Sequence, residues 1–269
     1  DREDNFAETP NAGVDSDSDV LLSGGLLLRT PVEGLEVFAG YAENFKALGD
    51  EILERPSSDL SNISPETAEN LEFGLRYTTD WVTLSAVYYD ISFENRIIFL
   101  DNSVATGPNY LIGTNGTYFN AGGINSDGFE LSGLIEPMDN LSLYLAYSRN
   151  NSEYVGTGDS AVDTAVGIIP GNDVVNMPDS QYVVTLDYVR GPVNLGLSTK
   201  YTDQRAVNFA NTWQADDYLL TDAYLTVSGE GLGGALEHAT LDLVVNNLTD
   251  KTYLGGISGN GAWIGAPRT

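Results

Sequence analysis

The chain has 269 residues, with 39 Asp or Glu against 12 Lys or Arg, a formal net charge of -27 and a pI of about 4.1. Tracking nucleic-acid phosphates needs clustered Lys and Arg, and binding an anionic membrane surface needs a polybasic patch, so both kinds of partner are excluded. Hydrophobic residues make up 42% and aromatics 10%, which rules out a disordered chain, and the absence of cysteine removes disulfides, thiolate metal sites and cysteine nucleophiles together.

In chain order, the acidic start Asp1-Arg2-Glu3-Asp4 has neither the positive n-region nor the apolar h-region of a signal peptide, and it reads as the inside of a longer protein. No stretch approaches a transmembrane helix in length and apolarity. The dominant signal instead is a period of two, the mark of strands with one apolar and one polar face. It predicts strands over Leu35 to Phe45, from Leu71 (Leu71, Phe73, Leu75, Tyr77 on one face), over Thr83 to Phe93, and from Leu141 (Leu141, Leu143, Leu145, Tyr147). It returns over Val183 to Val189, at Val193, Leu195 and Leu197, over Tyr218 to Ser228, and at Leu241, Leu243 and Val245. No segment shows a comparable helical period.

The connections alternate between short and long. Short turns fall at Pro31 to Gly34, Thr79 to Trp81, Glu136 to Asn140 and Arg190 to Pro192, with a longer Gly-rich one at Gly229 to Leu236. Long loops lie between them, at Ala47 to Ser64, Asp101 to Thr117, Ser152 to Asp173, Arg205 to Asp216 and Tyr253 to Ala266. A transmembrane β-barrel has that asymmetry, with short periplasmic turns and long outer loops, whereas soluble Greek-key folds do not. The strands are close to the 9–11 residues that cross a tilted bilayer path, and Tyr41, Phe45, Tyr77, Trp81, Tyr147, Tyr188 and Tyr201 stand toward strand ends as an interfacial girdle would. The fold class is therefore all-β: a transmembrane antiparallel barrel contributing about ten or eleven strands, the last one incomplete at Gly265 to Thr269. An open sheet edge cannot face lipid, so further strands are expected outside this chain.

Four stretches carry a family resemblance. Tyr41-Ala42-Glu43-Asn44-Phe45-Lys46-Ala47 is an aromatic strand ending in a Phe-basic pair, and Ser64-Pro65-Glu66-Thr67-Ala68-Glu69-Asn70-Leu71-Glu72-Phe73-Gly74-Leu75-Arg76-Tyr77 is a Pro-Glu…Glu-x-Gly strand. Phe119-Asn120-Ala121-Gly122-Gly123-Ile124-Asn125-Ser126-Asp127-Gly128-Phe129-Glu130 follows, and then Val245-Asn246-Asn247-Leu248-Thr249-Asp250-Lys251-Thr252-Tyr253 with Gly265-Ala266-Pro267-Arg268-Thr269. In order and spacing these resemble the C-terminal half of a TonB-dependent outer-membrane receptor, over essentially the whole chain from Val20. The resemblance implies a barrel of about 22 strands with a plugged lumen. It further implies that residues 1–269 are the C-terminal portion of that barrel, with the plug domain, the TonB-interacting segment and the terminal strand not present in this chain.

Candidate sites are sparse. His238 is the only histidine; beside Glu237 at a periplasmic turn it reads as a solvated side chain, and no catalytic residue is expected. Asp15-Ser16-Asp17-Ser18-Asp19 has alternating carboxylates but lacks the Gly and Glu that complete a calcium loop, Val20 and Leu26 standing in their places. The loop carboxylates Asp50, Glu51, Asp59, Asp101, Asp159, Asp163 and Asp173 admit loose divalent-ion binding near lipopolysaccharide. Gly231, Gly233 and Gly234 precede neither helix nor lysine, so they read as a turn and not a phosphate loop. No resident metal or cofactor is expected. For an imported ligand the informative residues are the loop aromatics Tyr110, Tyr118, Tyr154, Trp213 and Trp263 together with Arg205, since vestibules combine aromatic faces with a few polar groups. Loop carboxylates far outnumber Arg55, Arg205 and Arg268, which disfavours an anionic ligand such as ferric citrate and favours a neutral or cationic siderophore or an uncharged glycan.

The expected function is uptake of a bulky solute, foremost a ferric siderophore, across the outer membrane of a Gram-negative cell, coupled to TonB-ExbB-ExbD through the N-terminal region, with outer-membrane lipid and lipopolysaccharide around it. The alternatives are a passive porin-like or structural barrel of about ten to twelve strands, a TonB-dependent importer of glycans, and a soluble adhesin or lectin sandwich.

Overall fold

The computed structural model describes residues 2–4, 12–14, 20–48, 63–100, 117–230, 234–258 and 261–269. In chain order the strands are β1 (Arg2–Asp4), β2 (Ala12–Val14), β3 (Ser23–Arg29), β4 (Leu35–Lys46), β5 (Glu66–Thr78), β6 (Val82–Glu94), β7 (Ile97–Leu100), β8 (Thr117–Asn120) and β9 (Gly123–Met138). After β10 (Leu141–Gly156) comes a short helix, α1 (Ser160–Val166), followed by β11 (Ser180–Arg190), β12 (Val193–Thr202), β13 (Arg205–Ala206), β14 (Gln214–Ala215) and β15 (Tyr218–Ser228). A 3-10 turn at Gly234–Leu236 leads into β16 (Thr240–Val245), β17 (Leu254–Ser258) and β18 (Gly261–Ile264).

Ten strands pair into one antiparallel sheet in the order β3-β4-β5-β6-β9-β10-β11-β12-β15-β16, a meander in which chain neighbours are sheet neighbours. The other strands form two-stranded ribbons β1-β2, β7-β8, β13-β14 and β17-β18, the last three within the long connections. At one end of the sheet the turns are tight and use residues suited to positive φ, with Gly34 at +79° and Gly191 at +56°. Strands run longer than the periodicity predicts, because the ladder continues past the apolar stretch: β9 and β10 have 16 residues each, about 50 Å of strand. Their outer ends stand well beyond a bilayer, so the loop expected from Ser152 begins only after Gly156.

The register gives the sheet two unlike faces. One row reads Leu28, Val37, Leu75, Ala86, Leu131, Tyr147, Tyr182, Tyr201, Leu219 across nine strands. The row one residue over, on the other face, contains Arg29, Glu36, Arg76, Ser85, Ser132 and Lys200. On the apolar face no second layer of described residues covers the leucines; Leu28 is 54% exposed and Leu131 44%. Such a wall is costly in water and correct against lipid.

Buried hydrophobic residues collect elsewhere, at the long-loop end. One cluster joins Ala121, Ile124, Tyr154 and Ile168, with Phe93, Val174 and Phe209 against it. A second joins Val207, Ala215 and Ile257, with Val175, Leu254 and Ala262. Residues 157–179, 203–217 and the β17-β18 hairpin, which look like plain loops in sequence, thus share two cores.

Candidate functional site: the outer loop layer

The loop layer grows out of the polar face. Phe93, Ile124 and Tyr154 lie opposite one another on β6, β9 and β10, in step with the polar row, so loop residues packed on them lie on that side of the sheet. Beneath them a hydroxyl and amide network stiffens the base: the Ser126 and Ser152 hydroxyls are 2.6 Å apart, and Asn150 Oδ1 accepts from Ser126 Oγ at 2.9 Å and from the Tyr89 hydroxyl at 3.0 Å.

Among the described residues, the one α-helix that departs from the all-β expectation lies within residues 157–179. Asp159 caps α1, its Oδ1 accepting from the N–H of Ala161 at 2.8 Å, and Gly167 ends the helix in the left-handed region. Asp163 is buried and its carboxylate accepts from the Thr157 N–H at 2.8 Å and hydroxyl at 2.7 Å. These two carboxylates, expected to be free for divalent ions, are engaged by backbone and hydroxyl donors of their own loop. Asp173 is exposed, whereas Asp15 to Asp19, Asp50, Glu51, Asp59 and Asp101 lie outside the described residues. No group of three or more His, Asp or Glu poised to hold a metal occurs among the described residues. His238 is exposed beside the 3-10 turn that Gly234 opens; Gly231 and Gly233 lie outside the described residues.

Of the six residues expected at a ligand surface, the five that are described separate into two kinds of environment. Tyr110 lies outside the described residues. Tyr118 packs with Ile97 on the small cluster of Leu48 and Ile63. Tyr154 is buried, its ring edge-on to Phe209 at 5.8 Å and its hydroxyl accepting from the Val175 N–H at 3.3 Å, and burial pushes its phenol above the ordinary range. Arg205 is only 5% exposed. Its Nη1 donates to Asn176 Oδ1 at 2.9 Å, its Nη2 to the Leu254 carbonyl at 2.6 Å, and its guanidinium carbon lies 5.4 Å from the Tyr218 ring centre. Trp213 and Trp263, by contrast, are 57% and 59% exposed. Both stand next to residues of the second cluster, Trp213 two residues before Ala215 and Trp263 beside Ala262, so each indole is displayed from a packed support.

Sequence reasoning passes over the asparagines that hold this layer. Asn95, Asn176, Asn211 and Asn247 all have φ between +51° and +64°, a region Asn tolerates better than most residues. Asn211 Nδ2 donates to the Asp173 carbonyl at 3.0 Å while its Oδ1 accepts from the Asp173 N–H at 2.7 Å. Asn172 Nδ2 donates to the Phe209 carbonyl at 2.9 Å. Asn120 Oδ1 accepts from the Ser64 N–H, and its Nδ2 donates to the carbonyls of Ser64 and Asn95. The available signal is Asn at loop positions where Gly is missing.

Cations at this end are largely committed. Arg96 Nη1 and Lys46 Nζ both face buried Glu66, at 2.7 and 3.6 Å, and Arg268 is 3.9 Å from Asp250. Glu153, Asp159, Asp173, Asp179, Asp216 and Asp217 remain exposed. Although Asp179 stands exposed, partial desolvation of its carboxyl pushes it up from the ordinary carboxylate range, followed by Asp173 and Asp203, against the pull of Arg149. The layer therefore carries a negative potential.

The family model described as TonB dependent receptor-like, beta-barrel matches residues 1–248. The chain belongs to the TonB-dependent receptor β-barrel family. In this outer-membrane family the apolar face described above meets lipid and the polar face lines the lumen, so the loop layer lies over the mouth from the inside. A family of transport receptors is not an enzyme family. Among the described residues the sheet is open, with β3 and β16 at its two edges, and the family match sets aside the soluble sandwich. Among the described residues no helix is long and apolar enough to cross a membrane.

This TonB-dependent receptor chain is 27% identical over 202 residues to a ferrioxamine receptor of Yersinia enterocolitica, covering 74% of the chain and 26% of that protein. Its fold matches the siderophore receptor PiuA of Acinetobacter baumannii with a TM-score of 0.70 at 23% identity, over 91% of this chain and 34% of that one. It also matches the unliganded ferric citrate transporter FecA, with a TM-score of 0.67 at 21% identity, over 92% and 36%. The chain thus spans between a quarter and two fifths of the length of these relatives.

Proposed function

We propose that residues 1–269 are the C-terminal portion of the barrel of an outer-membrane receptor importing a bulky ferric siderophore of neutral or positive overall charge. In this reading the plug and a closing strand are supplied by other parts of the full protein, and the plug couples the receptor to TonB-ExbB-ExbD. The observation that carries the charge preference is the loop layer itself: two exposed indoles on packed supports, exposed carboxylates in the same layer, with Arg96, Lys46 and Arg268 paired and Arg205 buried. Likeness to a ferrioxamine receptor supports an iron complex as cargo.

Physically, the carboxylates raise the local concentration of a cationic ligand. Trp213 and Trp263 then supply apolar area from positions held in advance, so little ordering entropy is lost on binding. Tyr110 and Tyr118 are proposed as further ligand contacts, and Tyr154 and Arg205 as the frame behind them. Beyond the layer the solute meets the polar wall, where Ser85, Ser132 and their neighbours leave the lumen wet.

The test is a tryptophan-fluorescence titration of the full-length receptor with a cationic ferric siderophore, a neutral one, ferric citrate and an oligosaccharide. The first two should quench, with ferric citrate weaker by about tenfold or more at low salt, and Trp213→Ala and Trp263→Ala should each weaken binding. Response to the oligosaccharide alone, or a preference for ferric citrate, overturns the reading.

A further inference from the structure

Three outer loops meet at one side chain, and we infer that Arg205 is the positioning residue that joins them into a single block and thereby sets the spacing of Trp213 and Trp263. Its purpose rests on the receptor reading above; its geometry does not.

Arg205 is a cation buried in a strongly acidic chain, yet among the described residues its partners are neutral: the Asn176 amide oxygen, the Leu254 carbonyl and the face of Tyr218. Burying a charge without a counter-ion is costly, and one of its own nitrogens, Nε, has no hydrogen-bond partner. An ion pair would have been easy to supply from 39 acidic residues. What the guanidinium offers in its place is a rigid fork that reaches two acceptors in fixed directions. One arm ends on the 157–179 loop and the other on the β17-β18 hairpin, while the backbone belongs to the 203–217 loop.

The links differ in strength from one pair of loops to the next. Between 157–179 and 203–217 there are also the Asn211, Asn172 and Asn176 backbone and side-chain bonds. Between 203–217 and the hairpin, Arg205 Nη2 to Leu254 O is the one hydrogen bond among the described residues; the remainder is apolar contact of Val207 and Ala215 with Ile257. Apolar contact is non-directional and permits sliding; the guanidinium is what gives that junction a fixed geometry. Trp213 rides on one side of the junction and Trp263 on the other.

Because these 269 residues contain no cysteine, Trp213→Cys and Trp263→Cys introduce the only two thiols of this portion; with any cysteine elsewhere in the full-length receptor replaced by Ser, spin labels on them report their separation by pulsed electron paramagnetic resonance. With Arg205 present the distance distribution should be narrow. Arg205→Lys keeps the charge but places its donors on one nitrogen at the end of a flexible stem, without the rigid fork, and the distribution should broaden at least about twofold, while heat-modifiable migration of the barrel stays the same. Asn176→Ala, which removes one acceptor without touching the cation, should broaden it less, and together with Arg205→Lys should add nothing. Equal widths with Arg205 and Lys at this position, or a broad distribution with Arg205 in place, overturn the inference. Failure of Arg205→Lys to fold leaves Asn176→Ala to decide, and no broadening there overturns it as well. No ligand enters this readout, so its failure is distinct from failure of the receptor reading.

Discussion

Tyr224 lies across Gly196 on the adjacent strand of the lumen wall, its ring occupying the space that a side chain at 196 would fill, while its hydroxyl donates to Asp187 on the strand beyond. The arrangement recurs where Phe38 faces Gly74 and Tyr89 faces Gly128. Each pair fills a glycine gap with an aromatic from the neighbouring strand and lets the wall remain one layer thick. A methyl at 196 drives into the Tyr224 ring, so Gly196→Ala should destabilise the barrel by about 1–3 kcal/mol, read as a lower urea midpoint for unfolding from lipid. Unchanged stability would mean the ring turns away freely.

Adjacent residues on opposite faces test the sidedness directly. Leu131 belongs to the apolar row and Ser132 to the polar one. Leu131→Arg should cost up to about 2–4 kcal/mol of folding free energy into a bilayer, depending on its depth, whereas Ser132→Arg, facing water, should stay within about 1 kcal/mol. The reverse order would place the polar face in lipid.

Asn247 is buried in the turn after β16, with φ of +51°. Its Oδ1 accepts from the Lys251 N–H at 2.8 Å, its Nδ2 donates to the carbonyls of Lys251 and Ala266 at 2.9 and 3.2 Å, and its own N–H donates to Asp222 at 2.7 Å. Replacing it by Ala removes its three side-chain bonds and puts a methyl-bearing residue in a left-handed conformation. Asn247→Ala should therefore cost about 2–4 kcal/mol, visible as faster hydrogen exchange at Lys251 and in the 254–264 hairpin.

Asp179 sets a pH dependence for the loop end. Its pKa is raised in the folded protein, first by partial desolvation of an otherwise exposed carboxyl and then by Asp173 and Asp203. A raised carboxyl contributes stability that is complete below its unfolded pKa and is lost as pH rises through the folded value. The wild-type loop layer should thus lose stability from this group on leaving the acidic range, and Asp179→Asn should flatten that step. Urea midpoints measured from pH 4 to 7 check it; parallel curves for both proteins would remove Asp179 as the cause.

Much of this architecture is legible in the sequence because sidedness in a one-layer wall is written locally. The alternation through Leu71, Phe73, Leu75 and Tyr77 is the same alternation that separates lipid from lumen. The short and long connections mark the two ends of the barrel for an equally local reason. What escapes is long-range: Arg205 reads as an exposed ligand group because charged residues are seldom buried, and nothing nearby in sequence announces Asn176 or Leu254 as its acceptors. Helix α1, at 7 residues, is too short for a period of 3.6 to register, although Asp159 and Gly167 mark its ends. The four asparagines with positive φ are visible as residues, but their cross-loop bonds are set only when the strands align.

The most direct test of the receptor account is accumulation of radiolabelled iron, supplied as a cationic ferric siderophore, in cells that carry the full-length protein and in cells that lack it. The account predicts uptake only when the protein is present and the inner membrane is energised, with ferric citrate a poor substitute. Equal uptake in both cells, or uptake that persists after the proton gradient is collapsed, would contradict it.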